Sequence, residues 1–193
     1  MNFRNTIEFQ KDFKKLSKKF KSLDSDLVEF KKILNAADLA IAESFGLQLY
    51  CGFNNRIPGV DLMLALCKLA EEKSLTVGML GNPNTDLAAK EFYRLFPKLK
   101  IIYALDNPEA DRLIQDYDTL RYVDILFVGL GHPKQEKFLW KIKGLKKFKI
   151  GLGVGGSFDM VSGKRKRAPE FFQKLGLEWF WRLVWEPVFL FIV

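Results

Sequence analysis

The sequence is poor in the residues that build metal centres and covalent cross-links. Among 193 residues there is one histidine, His132, and two cysteines, Cys51 and Cys67. Neither cysteine stands in a metal-type spacing, and such sparse use suits a reducing compartment better than a disulfide framework. Without a Cys or His cluster, no transition-metal site is expected. No window reaches the ~18 uncharged apolar residues that a membrane-spanning helix requires. Met1 to Ser22 is rich in lysine and has no apolar centre, so it does not read as a signal peptide. Low-complexity stretches, repeats and linkers are also missing, which makes one domain the economical count.

What is present is an apolar, basic, globular composition. Hydrophobic residues make up 48%, and 31 Lys+Arg against 23 Asp+Glu give a net charge of +8. That excess suits an anionic partner such as a nucleotide, a nucleic acid or an acidic membrane surface; solubility alone would also explain it.

The apolar pattern alternates strands with helices. Phe13, Leu16, Phe20, Leu23, Leu27, Phe30 and Leu34 recur every three or four residues, the face of one helix or of two consecutive ones. Asp24 or Ser25 is a candidate cap for the second. Strands are expected at Ala37–Ala42, Leu75–Leu80, Lys100–Leu105, Ile125–Val128 and Phe148–Val154. Helices are expected over Val60–Glu72, from Asn84 or Thr85 (either a candidate cap) to about Phe96, from Asp106 to about Tyr117, and from 133 to about 143. This order argues for an α/β, Rossmann-like parallel sheet of about five or six strands with helices on both faces. Residues 1–176 form the domain and 177–193 a C-terminal appendage. In that appendage Glu178, Arg182 and Glu186 share a stripe, and nearly everything else is apolar. It fits docking on the domain, on a second subunit or in a membrane interface.

Candidate sites gather at expected strand ends, where open parallel sheets bind ligands. Gly129-Leu-Gly131-His132-Pro133 follows an apolar strand and opens a helix at Pro133. His132, flanked by glycine and proline, is expected to line the cleft. Gly151-Leu-Gly153-Val-Gly155-Gly156 has the G-x-G-x-x-G spacing. Ser157-Phe-Asp159 and then Ser162-Gly163 follow it, so a long helix, and with it dinucleotide binding, is not expected. Its backbone amides can still hold a phosphate or a base, and Asp159 can accept hydrogen bonds from a ribose or base. Gly163-Lys164-Arg165-Lys166-Arg167 places four cations ahead of a helix near Pro169, a plausible diphosphate site. Asp24-Ser-Asp26 and Asp116-Tyr-Asp118 match the D-x-D pattern of metal-dependent glycosyltransferases, but in helix or helix-end context, where coincidence is the better reading.

Several of these stretches together resemble one family. They are Gly129-Leu-Gly-His-Pro-Lys-Gln-Glu136, Gly153-Val-Gly-Gly-Ser-Phe-Asp159, Gly163-Lys-Arg-Lys-Arg-Ala-Pro169 and Leu175-Gly-Leu-Glu-Trp-Phe-Trp-Arg-Leu183 with Glu186-Pro187. Arg56-Ile-Pro-Gly-Val-Asp-Leu62 and Ala37-Asp-Leu39 agree upstream. In order and spacing they look like the WecG/TagA/CpsF glycosyltransferases (glycosyltransferase family 26), over roughly residues 26–187.

The resemblance implies an inverting, metal-independent transferase without a cofactor. It would move an N-acetylmannosamine-type sugar from a UDP donor to a polyprenyl-diphosphate-linked sugar, in bacterial surface polysaccharide or teichoic acid synthesis. It implies a cytoplasmic protein, peripheral at the inner face of the cell membrane, with no nucleic acid partner; a homo-oligomer stays open. By the same resemblance the catalytic set is Glu43, where the family has an aspartate base, with Arg56 and Gln135. Nucleotide and diphosphate contacts fall to Gly131, His132, Gly155, Gly156, Ser157, Asp159, Lys164, Arg165, Arg167 and Arg182. The chain departs from the family at both ends. Met1 to Ser22 lacks the strand that supplies a pocket threonine, and Val188-Phe-Leu-Phe-Ile-Val193 stands where basic residues are expected. A divergent or truncated non-catalytic member that only binds nucleotide or a partner is therefore the alternative.

Overall fold

In the computed structural model, the described residues are 23–39, 41, 57–81, 83–106, 109, 110, 112, 116–175 and 177–185. The chain divides into two compact units, Met1–Asp38 and Leu39–Val193. In the first, α1 spans Leu23–Asn35. It starts before Asp24, so Asp24 and Ser25 lie inside the helix rather than at its cap. The part of the expected helical face before residue 23 lies outside the described residues.

The second unit holds α2 (Gly59–Glu72), β1 (Thr76–Gly81), α3 (Thr85–Leu95), β2 (Lys100–Leu105), β3 (Val123–Gly129), α4 (Lys134–Ile142) and β4 (Phe148–Gly153). Three short helices follow: α5 (Ser157–Val161), α6 (Glu170–Lys174) and α7 (Glu178–Trp185). Of the helix expected from Asp106 to about Tyr117, residues 109, 110 and 112 are helical, and Asp106 and Asp116 are not. Tyr117 opens a short 3-10 turn (Tyr117–Thr119), and residues 107, 108, 111 and 113–115 lie outside the described residues.

The strands form one parallel sheet in the order β2-β1-β3-β4. Among the described residues the sheet therefore has four strands, not five or six. The strand expected at Ala37–Ala42 is not formed by its described residues. The Ala36 amide donates to the Lys32 carbonyl and the Ala37 amide to that of Leu34. The end of α1 thus takes up backbone groups that a sheet ladder would need. Ala40 and Ala42 lie outside the described residues.

Helices cover both faces, and the connections say why. The β1–α3–β2 connection moves one way along the sheet and β3–α4–β4 moves the other. Crossovers of one hand must then place α3 and α4 on opposite faces. Ala88, Ala89 and Phe92 of α3 accordingly share a core with Val77, Met79, Ile125 and Phe127. Phe138 and Ile142 of α4 share the other core with Leu80, Leu126 and Val128. β3 is buried along nearly its whole length, as an unalternating parallel strand should be. Each such side chain contributes roughly 1.5–3 kcal/mol.

The amino ends of three strands are tied together. Asp124 of β3 accepts from the Thr76 amide at 2.9 Å, the Thr76 hydroxyl at 2.8 Å and Lys149 Nζ at 2.7 Å. The lysine hydrogen bond, followed by those from Thr76, holds the Asp124 carboxyl well below the usual carboxylate range. This clamp leaves the opposite, carboxyl end of the sheet for the site.

Candidate functional site

β1 and β3 are neighbours whose connections leave in opposite directions, so their carboxyl ends form the switch point of the sheet, where such folds open a crevice. Gly81 and Gly129 pair there. A Cβ on Gly81 would stand 2.8 Å from the Phe158 ring, and one on Gly129 only 2.6 Å from it. Both strand ends are glycine because the fully buried Phe158 lies across them. Phe158 belongs to α5, so this contact seats α5 over the crevice floor and brings Asp159 to its rim.

The two glycine turns are joined by Gln135. Its side chain lies in the first turn of α4 and is 7% exposed, one of the few buried polar side chains among the described residues. Its Oε1 accepts from the Gly155 amide at 3.0 Å, and its Nε2 donates to Glu136 Oε1 at 2.9 Å. Gly155 holds φ +48°, a left-handed conformation that a side chain would strain. Glu136 Oε2 lies 3.4 Å from His132 Nδ1, and the His132 side chain is 59% exposed. His132, Gln135, Gly155 and Gly156 thus sit in a connected rim, with Gly131 at its turn. Gly131 also supplies the carbonyl that receives the Gln135 amide.

Beyond that rim, α5 adds Ser157, buried, with its amide on the Val154 carbonyl. Asp159 Oδ1 accepts from Asn84 Nδ2 at 2.7 Å, a bond across the crevice from the start of α3. Arg165 is brought back to the same place: its amide donates to the Asp159 carbonyl at 2.9 Å. Its Nη1 stands 3.0 Å from where a Cβ on Gly156 would be. Lys164, next to it, is exposed.

Arg167 is placed differently. Its guanidinium makes two 2.6 Å hydrogen bonds to Asp61 in the first turn of α2, and its Nε lies 3.8 Å from Glu178. That pairing raises its pKa further, with the Asp61 hydrogen bonds the first cause. The basic loop therefore splits, with Arg165 turned to the glycine turn and Arg167 bracing α2. The Arg182 backbone lies in α7, and its side chain is outside the described residues. Glu43 and Arg56 lie outside them altogether.

The appendage touches α6 where the Phe172 ring meets that of Trp181, 5.5 Å between centroids. No helix among the described residues is long and apolar enough to cross a membrane. The described residues hold no group of three or more His, Cys, Asp or Glu suited to a metal ion. Asp24 and Asp26 lie within α1, while Asp116 precedes and Asp118 lies within the 3-10 turn Tyr117–Thr119 before β3, at the amino end of the sheet away from the crevice. Burial pushes the Cys67 thiol up to about 12, which leaves it no nucleophilic role near neutral pH.

Sequence reasoning missed three participants. Asn84 reads as a helix cap, yet it makes no side-chain cap bond and reaches Asp159 instead. The sequence assigns Glu136 no role of its own, yet its Oε1 accepts the Gln135 Nε2 bond. Phe158 is assigned no role of its own either, and only the two facing glycines show what it does.

Four parallel strands wound in both directions, with a glycine-lined crevice at the switch point, make this a Rossmann-like α/β protein. The sequence model described as "Glycosyl transferase WecG/TagA/CpsF family" matches residues 23–192, and the chain belongs to that family. Curated relatives include the N-acetylglucosaminyldiphosphoundecaprenol N-acetyl-beta-D-mannosaminyltransferase of Bacillus spizizenii (strain W23). It is 32% identical over 166 residues, covering 82% of this chain and 65% of the relative. The protein of the same name from Bacillus subtilis (strain 168) is 30% identical, covering 80% and 64%. That from Staphylococcus aureus (strain MRSA252) is 29% identical, covering 78% and 63%. This chain thus spans slightly under two thirds of the length of these relatives.

Proposed function

We propose that this chain is an inverting, metal-independent glycosyltransferase. In this reading it moves an N-acetylmannosamine-type sugar from a UDP donor to a polyprenyl-diphosphate-linked N-acetylglucosamine, at the inner face of the cell membrane. The product would feed surface polysaccharide or teichoic acid synthesis. The observation that carries the reading is the crevice itself. Gln135, buried and held between Gly155 and Glu136, faces a glycine turn flanked by Asp159 and Arg165. The family membership and the printed names of the relatives support the choice of sugar and acceptor.

The chemistry asks for three things. The acceptor hydroxyl oxygen bonds to the anomeric carbon as the bond from that carbon to the diphosphate oxygen breaks. A carboxylate must take the hydroxyl proton, and Glu43 is assigned that role. Negative charge developing on the departing UDP must be neutralised. Lys164 and Arg165 do this beside the glycine turn, with Arg56 and Arg182 assigned to the same charge. Asp159 takes the nucleoside end, and Gln135 holds the sugar diphosphate. No metal has a part in this scheme.

The test is UDP release from UDP-N-acetylmannosamine with a polyprenyl-diphosphate N-acetylglucosamine acceptor. Release is expected from the wild-type chain and is expected to vanish in Glu43→Gln. Normal turnover in that variant rejects Glu43 as the base. Tight UDP binding with no transfer to any lipid acceptor rejects the transferase reading in favour of a non-catalytic member.

A further inference from the structure

Asn84 stands at the N-cap position of α3, where an asparagine side chain ordinarily accepts a hydrogen bond from the first-turn amides. It makes no such bond. Its Nδ2 instead donates to Asp159 Oδ1 at 2.7 Å, across 75 residues of sequence. The distance is that of a charge-assisted bond. A helix start has therefore given up its usual cap, while the side chain steers a carboxylate at the crevice rim. From the other side the Asp159 backbone is fixed, because its carbonyl accepts from the Arg165 amide at 2.9 Å and the Ser162 hydroxyl at 3.1 Å. Backbone and side chain of Asp159 are thus set independently, the second by Asn84.

We propose that Asn84 is a positioning residue for nucleotide recognition. It presents the Asp159 carboxylate to the nucleoside half of the UDP donor and thereby sets affinity for that half. This inference rests on the reading of the crevice as a UDP-sugar site.

The experiment measures UDP binding by calorimetry on the full chain, with thermal melting of each variant alongside. Asn84→Ser keeps good helix-capping chemistry but is too short to reach Asp159. Asn84→Asp is nearly isosteric and sets a like charge against Asp159. Both are expected to melt near the wild type. Asn84→Ser is expected to weaken UDP about tenfold, the scale of one hydrogen bond to a charged group, and Asn84→Asp to weaken it more. In an Asp159→Ala background, Asn84→Ser should have no further effect, because its target is gone. The inference is overturned if Asn84→Ser binds UDP as the wild type does while Asp159→Ala loses it, or if the two losses add. If Asp159→Ala also leaves UDP binding intact, or the wild-type chain binds no UDP, the reading of the crevice itself has failed, and the inference falls with it.

Discussion

Gly129→Ala probes the packing that builds the site. The new methyl would stand 2.6 and 2.8 Å from Phe158 ring atoms and 3.0 Å from the Gly155 carbonyl oxygen. Real Cβ contacts essentially never fall below 3.0 Å and are ordinarily 3.4 Å or more, so something must move by several tenths of an ångström. Phe158 is fully buried and shares its core with residues of α2, α3, β1 and β3. It cannot rotate away without displacing them, and the other neighbour is backbone. Overpacking of this kind costs about 1–3 kcal/mol. For a chain of this size each kilocalorie shifts the melting temperature by roughly 2–4 °C, so a fall of about 2–12 °C is expected. Any relief of the clash also shifts Asp159, next to Phe158, or Gly155, whose amide holds Gln135. UDP affinity should therefore fall with stability. Phe158→Leu alone should also destabilise, by leaving space the ring filled. Combined with Gly129→Ala it should do less harm than the two losses added, with a coupling of about 0.5–3 kcal/mol. Calorimetric melting of the four proteins tests this. A Gly129→Ala chain that melts with the wild type, or a double variant whose losses simply add, refutes the reasoning.

Three further outcomes follow from other contacts. Asp124 is held below the usual carboxylate range by Lys149 and Thr76, so its folded pKa lies under its unfolded value near 3.9. Its contribution is then complete above about pH 4 and is lost as pH falls toward the folded pKa. Asp124→Asn should melt lower than the wild type at neutral pH, with the gap closing only in strong acid; a gap that closes between pH 5 and 7 contradicts this. The Arg167–Asp61 pair is partly exposed, so Asp61→Asn should cost about 1 kcal/mol or less, read as a small loss in melting temperature. Arg167→Ala should hardly change UDP affinity while Arg165→Ala weakens it several-fold. Equal losses would return Arg167 to the diphosphate site.

The sheet was legible in the sequence as short apolar runs, in the buried central strands β1 and β3 and in the more exposed edge strands β2 and β4 alike. The runs at 75–80, 100–105, 125–128 and 148–154 each carry enough β-branched and apolar residues, bounded by turn chemistry, to identify a strand. The short run at Ala37–Ala42 has the same apolar character, but Ala36 and Ala37 finish a helix instead. Alanine carries little β preference, so local context decided there. At the crevice, the glycine turns at strand ends pointed to Gly131, His132, Gly155, Gly156, Ser157 and Asp159, the basic loop to Arg165 and the family resemblance to Gln135, and the fold brings these residues together. The division of labour between Arg165 and Arg167 was not legible. Four consecutive cations read alike until the fold sets Asp61, 106 residues away, against one of them. The diversion of Asn84 from its helix to Asp159 was hidden for the same reason, since both bonds depend on partners that only the sheet order brings together.

The carboxyl ends of β1 and β3 are proposed to bind the donor's nucleotide. Hydrogen exchange of the full chain with and without UDP tests it most directly, since a ligand there slows exchange in the backbone it contacts. Protection is expected at Gly131–Gln135 and Gly155–Asp159 and at the Asn84 end of α3. The Thr76–Asp124–Lys149 end of the sheet should change little. Saturating UDP that leaves the two glycine turns unchanged, or that protects only the opposite end, would contradict the account.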